Sequence, residues 1–212
     1  DRLKDNMWGY NRHTDQTVNI YSAFLQNEWK NDRWGILIGG RLDKHNMVDN
    51  VIFSPRANLR FNPTQNINLR LSYSSGFRAP QAFDEDMHIE NVGGTVAMIE
   101  RAKDLKEEKS QSFSVSADMY HRFGAFQTNL LIEGFYTRLT DVFVLGKPYD
   151  RGDGILVKTR SNGPGAKVMG LTLEGKVAYL SILQIQAGLT LQRSRYDEPH
   201  KWHDDAPAEK KI

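Results

Sequence analysis

Residues 54–80 read SPRANLRFNPTQNINLRLSYSSGFRAP, and apolar and polar side chains alternate along two successive segments of this stretch. In the second segment the apolar positions are Ile67, Leu69, Leu71 and Tyr73, and the residues between them are polar. A period of two residues is typical of a β-strand with one apolar and one hydrated face. The stretch therefore predicts two antiparallel strands joined by a short link.

The same alternation recurs along the chain and predicts eight strands. Their ranges are 17–30, 33–44, 54–62, 66–75, 109–123, 126–145, 171–180 and 183–192. The connections alternate between short links, at 30–33, 62–66, 122–125 and 180–182, and long polar segments, at 45–53, 79–108 and 146–166. A soluble sandwich has no physical reason to gather its long loops at one end, whereas an outer-membrane barrel combines short periplasmic turns with long extracellular loops. The predicted fold class is all-β, with antiparallel transmembrane β-barrel strands.

The composition argues against several other classes of protein and of site. The 212 residues include 28 Lys and Arg against 26 Asp and Glu, so the net charge of +2 gives no case for binding nucleic acid. Cysteine is missing from the sequence, which excludes disulfides and thiolate metal sites. No run of about 18 apolar residues occurs, so a transmembrane helix is not expected. The mean hydropathy of −0.58 fits a soluble β protein or a barrel, since a barrel turns only alternate residues towards lipid.

Aromatic residues gather near the short links. They are Trp29, Trp34, Phe61, Tyr120, Phe123, Phe126 and Tyr179. Such rings at strand ends are what an interfacial girdle requires, although strands are generally enriched in aromatic residues as well.

Three sequence elements carry a family resemblance. They are the Gly-Phe-Arg-Ala-Pro corner at 76–80, the Leu-Lys-Glu-Glu-Lys-Ser segment at 105–110, and Gly-Leu-Thr-Leu-Glu at 170–174. In this order the elements resemble the barrel of TonB-dependent outer-membrane receptors, most of all those of the Bacteroidetes type, with Glu107 where proline is usual. At the corner, Gly76 is expected to permit an unusual backbone angle and Pro80 to remove a donor, which together end the strand.

The resemblance implies a 22-stranded barrel with a plug domain, a TonB box and a closing strand. About eight strands are predicted here, so residues 1–212 are expected to form a partial barrel domain without the plug and closing strand. The implied function is TonB-energised uptake of a scarce, bulky nutrient, such as a ferric siderophore, haem, cobalamin or a glycan, across the Gram-negative outer membrane. The implied partners are the TonB system, acting through the plug of the parent chain, the membrane lipid, and a small-molecule or metal-chelate substrate, with no cofactor.

The loop after the corner supplies candidate ligand-binding residues at the barrel mouth. They are Arg78, Asp84, Glu85, Asp86, His88 and Glu90. The guanidinium of Arg78 can bind a carboxylate of the following acidic run through two hydrogen bonds, which would fix the loop. The acids could also hold calcium, but the twelve-residue calcium loop is incomplete, so no metal site is predicted.

The polar faces of the strands are expected to line the lumen. Their charged residues are Arg56, Arg60, Arg70, Asp118, Glu133 and Glu174, and Asn129, Lys176, Gln184 and Gln186 accompany them. Charged side chains are costly against lipid and tolerated in a wet interior. We expect them to support the plug and hydrate the bore rather than to recognise substrate.

The sequence carries no Gly-x-Ser-x-Gly or His-Glu-x-x-His motif, so no enzyme is predicted. The His-x-x-His pair at His200 and His203 fits a polar tail. Two alternatives remain open at this point. A self-contained eight-strand barrel would pair residues 17–30 with 183–195, and a soluble β-sandwich binding module would pack its apolar faces together.

Overall fold

The computed structural model describes residues 2–8, 12–80, 90–92, 95–152, 154–200 and 209–211, and these are built almost entirely from strands. The strands are β1 Arg2–Met7, β2 Arg12–Thr17, β3 Ile20–Lys30, β4 Trp34–His45, β5 Ile52–Thr64, β6 Ile67–Arg78, β7 Glu90–Val92, β8 Thr95–Arg101, β9 Glu108–Phe123, β10 Phe126–Thr140, β11 Phe143–Leu145, β12 Tyr149–Asp150, β13 Leu156–Asn162, β14 Ala166–Tyr179, β15 Leu183–His200 and β16 Glu209–Lys211. None of the described segments is a helix with the length and apolarity to span a membrane.

Eight long strands form one antiparallel sheet in the order β3-β4-β5-β6-β9-β10-β14-β15, with the short β16 beside β15. They correspond to the eight predicted strands, and short turns alternate with long connections as predicted. The all-β fold class is therefore confirmed. We call the two ends of this sheet the short-turn end and the long-loop end.

The predicted strand bounds need correction at the long-loop end. The strand predicted at 126–145 stops at Thr140, because Asp141 adopts a φ of 54° and the chain then enters β11. The last two strands are longer than predicted, beginning at Ala166 and continuing to His200.

The corner at Gly76 also differs from the prediction. Strand β6 continues through Gly76 to Arg78, and Gly76 has no positive φ. Its role is close approach instead, because a Cβ at Gly76 would lie 3.2 Å from Ser110 Oγ on the neighbouring strand.

The register aligns the apolar residues into rows that cross the whole sheet. One row consists of successive partners Trp29, Ile36, Leu59, Leu71, Val115, Gly134, Leu171 and Leu191. We call the side of the sheet that carries it the apolar face. Most side chains of this row are exposed, with Leu71 at 51% and Val115 at 58%, and no second described sheet covers them. This arrangement does not fit a soluble sandwich.

The sheet does not close on itself within the described strands. Among the strands that the structure describes, β3 pairs only with β4, and β15 lies at the other end of the long-strand order. A self-contained eight-strand barrel would require β3 and β15 to pair, and the described strands lack that pairing.

Aromatic rings meet at the short-turn end, where a girdle was predicted. Trp34 stacks on Phe61 with ring centroids 4.2 Å apart, and Phe126 lies between Phe123 at 5.5 Å and Tyr179 at 4.9 Å. These contacts join rings from neighbouring strands into two groups along the turns, which we together call the aromatic band.

Burial is concentrated at the long-loop end rather than between two layers. Val48, Ile52 and Ala79 form a small buried cluster with Phe77 packed against it.

Close to the chain start, the separate hairpin of β1 and β2 is held by Arg2, whose two hydrogen bonds to Asp15 lower the pKa of that carboxyl.

The two faces can be distinguished by labelling, because the chain has no native cysteine. A spin label at Leu71→Cys should collide with lipid-soluble oxygen, and one at the neighbouring Ser72→Cys should collide with a water-soluble nickel chelate. The expected contrast follows from the opposite directions of successive strand side chains. Protection of the Leu71 label from both quenchers in the reconstituted full-length protein would contradict a lipid-facing apolar face.

Candidate functional site

Six charged residues of the long strands share one side of the sheet, which we call the charged face. The register pairs Arg60 with Arg70, Arg70 with Ser116, and Ser116 with Glu133. The remaining residues of the set lie an even number of positions from these and therefore on the same side. The set is Arg56, Arg60, Arg70, Asp118, Glu133 and Glu174. Its assignment to a lumen stays a prediction.

Within this set of six, positive and negative charges occupy different strands, whereas Lys176 on the same face shares β14 with Glu174. The three arginines lie on β5 and β6, and the three acids lie on β9, β10 and β14. In the described part of the chain, no ion pair joins the two groups. The face therefore offers both signs of charge to whatever lies against it.

Two of the acids on this face accept hydrogen bonds from neutral donors. Asp118 accepts hydrogen bonds from the Tyr120 hydroxyl, at 2.9 Å, and from the Asn129 amide. Glu174 accepts from the Gln186 amide on the next strand. These contacts orient the carboxylates without neutralising them.

Space for one arginine comes from a glycine on the adjacent strand. A Cβ placed on Gly35 would lie 3.2 Å from Arg60 Nε and 3.5 Å from its Nη2. The Arg60 side chain thus extends across Gly35, and any larger residue there would have to displace the guanidinium.

The predicted mouth residues are only partly within the described ranges. Asp84, Glu85, Asp86 and His88 lie outside them, and for Glu90 only its backbone in β7 is described. Their ion pairing with Arg78 stays a prediction. The Arg78 guanidinium carbon lies 5.6 Å from the centroid of Phe143, a cation–π contact that reaches the next long connection.

Sequence reasoning missed a second sheet that joins two long connections. Strand β8 of the connection 79–107 pairs in parallel with β13 of the connection 141–165, within the order β11-β13-β8-β7. We call this the loop sheet. Met98 and Val157, partners across the parallel pair, are completely buried in it. The signal available in the sequence was two short apolar runs, VAMI at 96–99 and ILV at 155–157, inside polar segments.

Polar contacts reinforce the loop sheet. The Ala102 amide donates to the Arg160 carbonyl at 2.8 Å, and Arg151 forms an ion pair with Glu100 at 3.3 Å. Arg101 donates from Nη1 to the Pro80 carbonyl at 2.8 Å, which ties the end of the corner to β8.

Sequence reasoning also missed two buried polar residues on β4. Asp43, 1% exposed, accepts hydrogen bonds from Ser22 Oγ and, at 2.7 Å, from Arg41 Nε. His45, fully buried, accepts the Met47 amide proton at Nδ1 over 3.1 Å. The Asp43 contact with Ser22 ties β4 to β3, and the His45 contact fixes the start of the connection 46–51. The described residues contain no group of three or more acidic or histidine side chains that could hold a metal ion.

The comparison with known families matches this architecture. Residues 3–210 match the family described as TonB dependent receptor-like, beta-barrel. The chain belongs to this family. The resemblance inferred from the corner and the two later motifs is thereby confirmed.

Solved structures show the same fold at low sequence identity. The chain is similar to the siderophore receptor PirA from Pseudomonas aeruginosa, with 16% identity and a TM-score of 0.74, over 88% of this chain and 36% of that one. It is also similar to the FrpB iron transporter from Neisseria meningitidis, with 17% identity and a TM-score of 0.62, over 86% and 27% of the two chains. The outer membrane transporter YddB from Escherichia coli gives 15% identity, a TM-score of 0.66 and coverages of 89% and 26%.

The chain thus spans about a third of the length of PirA and less of the other two. No curated protein sequence matches it. The TonB-dependent receptors are outer-membrane β-barrels, and these strands supply a segment of such a barrel.

The loop sheet should behave as one unit. Replacing Met98 by Ala removes a fully buried side chain, so hydrogen exchange should accelerate in both β8 and β13 while the long strands stay protected. Exchange measured by mass spectrometry on the full-length protein tests this. The matched change Met169→Ala, at a 41% exposed position, should leave both connections unaffected. Faster exchange in β8 alone would contradict the coupling.

Proposed function

We propose that this chain forms part of the barrel wall of a receptor that imports a scarce, bulky nutrient across the Gram-negative outer membrane by TonB-energised transport. The observation that carries the proposal is the sheet with one exposed apolar face and one charged face, in a chain of this receptor family. A wall of this construction separates lipid from a hydrated interior.

The best-supported substrate class is an iron chelate. PirA is a siderophore receptor and FrpB an iron transporter, and both share this fold. The charged face bears arginines that can form paired hydrogen bonds to the carboxylates or phenolates of such a chelate, or to a protein domain in the bore. Haem, cobalamin and glycans are the alternative substrates for the same architecture.

The charged face would chiefly hold a plug domain. Its arginines on β5 and β6 and its acids on β9, β10 and β14 match a partner that carries both signs of charge. Exposed ion pairs of this kind each contribute about 0.2–1 kcal/mol, so several weak contacts could retain a plug and still release it under force.

The loop sheet and the mouth residues would make the outer entrance. Arg78 lies at the end of β6, next to the loop sheet through its contact with Phe143. We assign Arg78, with Asp84, Glu85, Asp86, His88 and Glu90, to the mouth, where an arriving substrate first meets the protein.

Deleting the gene should abolish growth when one ferric chelate is the sole iron source, and the intact gene should restore it. Uptake of the radiolabelled chelate should stop when a protonophore collapses the proton gradient, because TonB transport requires energy from the inner membrane. Parallel cultures with haem, with cobalamin and with glycans identify the substrate. Unimpaired growth of the deletion strain on every one of them would refute a nutrient receptor.

Plug support has its own test. Arg60→Gln combined with Arg70→Gln should make the outer membrane permeable to a bulky antibiotic, since two contacts of up to about 1 kcal/mol each would be lost. The minimum inhibitory concentration of vancomycin measures the leak. The charge-keeping variant Arg60→Lys with Arg70→Lys serves as the control and should remain tight. Equal resistance of both variants and the wild type would argue against a plug-retaining role.

A further inference from the structure

Four basic side chains stand together on the apolar face at the long-loop end. The register makes Arg138 the partner of Lys167, and Lys167 the partner of Arg195. Arg193 lies two residues along β15, opposite Met169. Arg138 and Lys167 are each four residues from the apolar row, at Gly134 and Leu171, so they project from the same side. We call these four basic residues the cationic cluster.

The cationic cluster is crowded and only partly neutralised. Neighbouring strands are about 4.8 Å apart, so partners across the register bring like charges close together. Among the described residues, Asp197 is an acid in contact with the cluster, 2.9 Å from Lys167 and 3.8 Å from Arg138. Arg193 and Arg195 are exposed, and the side chains of Arg138 and Lys167 are 50% and 38% exposed. The cluster therefore carries an excess of positive charge that faces outward.

Directly below the cluster, the apolar face contains a groove of about 550 Å³. It exists because Gly134 contributes no side chain to the apolar row between Val115 and Leu171. Among its lining residues are Leu71, Phe113, Val115, Tyr136, Met169 and Leu171. We call it the acyl groove, since it is almost entirely apolar and begins where the cationic cluster ends.

The position of the cluster identifies the leaflet that it contacts. At the short-turn end the apolar face carries the rings of Phe123, Phe126 and Tyr179, whereas at the long-loop end it carries cations. A charge on a lipid-facing strand is costly near the middle of the bilayer and much less so at the interface. These two features favour the headgroup level of the leaflet on the long-loop side as the position of the cluster.

We propose that the cationic cluster and the acyl groove together bind one phosphate-bearing lipid of that leaflet. The phosphate lies among Arg138, Lys167, Arg193 and Arg195, where guanidinium groups can donate paired hydrogen bonds to its oxygens. One acyl chain fills the groove above Gly134. This site is on the outside of the barrel wall and is independent of the proposed uptake route.

The site predicts a preference among lipids that differ only in their headgroup. Full-length protein in detergent is titrated with dimyristoyl phosphatidic acid or with dimyristoyl phosphatidylcholine, and bound lipid is counted by native mass spectrometry. Phosphatidic acid should bind at least about tenfold more tightly, because the zwitterionic headgroup brings no net negative charge. Equal affinity of the wild-type protein for the two lipids would overturn the proposal without any variant.

Variants locate the site. Arg138→Gln, Lys167→Gln and Arg193→Gln together should weaken phosphatidic acid binding about a hundredfold, at roughly fivefold for each cation near the membrane surface. The matched control removes three exposed cations at the short-turn end, as Lys30→Gln, Arg33→Gln and Arg122→Gln, and should keep the wild-type affinity. An equal loss in both triple variants would show general electrostatics and overturn the site.

The contribution of the acyl groove is tested separately. Gly134→Leu fills it and should weaken phosphatidic acid binding, and the sheet has room for the change because a Cβ at this position would meet only Val115 Cγ1, at the ordinary contact distance of 3.7 Å. Gly175→Leu makes the same change at an open position on the same face, towards the short-turn end, and should have no effect. Inorganic phosphate should fail to displace the lipid at equal concentration. Displacement by phosphate, or an unchanged affinity in Gly134→Leu, would refute a lipid as the occupant.

Discussion

Antiparallel backbone pairing that keeps the same side chains on each face of the sheet is the constraint on which this structure depends. In the order β3-β4-β5-β6-β9-β10-β14-β15 each strand is hydrogen-bonded to its neighbour, and each apolar residue of the central row has an apolar or glycine partner. A slip of one residue between two strands would move every side chain of one strand to the other face. Within lipid, no water is available to satisfy free backbone groups, so the pairing is also what makes the apolar face tolerable there.

The same register gives each region of the sheet its own chemistry. It puts the arginines and acids of the charged face opposite the apolar rows, and it brings Arg138, Lys167 and Arg195 into direct succession above them. The aromatic band at the turns and the buried clusters at the long-loop end mark the two ends of the sheet. Because few side chains are buried between the long strands, the surroundings of the sheet matter more to its stability than its own buried volume.

Much of the fold could be predicted from the sequence, and the wrong predictions lie at the ends of strands. Residues 54–80 predicted two strands and their facing residues correctly, because a strand's side-chain direction is a local property with period two. The strand predicted at 126–145 was too long, because apolar residues continue past Thr140 while the backbone turns at Asp141 with a φ of 54°. Gly76 was assigned to a corner, although its small size is used for the approach of Ser110.

The sequence by itself determined the eight strands, their two faces and the alternation of short turns with long connections, since each follows from neighbouring residues along the chain. Only the tertiary structure decided that β8 pairs in parallel with β13, that Asp43 and His45 are buried, and that four basic residues on three strands form one cluster. These features join residues from about 25 to 60 positions apart, or depend on which strands become neighbours. Local periodicity carries no information about such distant pairings, whose formation is governed by the closure of long loops and by the packing that rewards it.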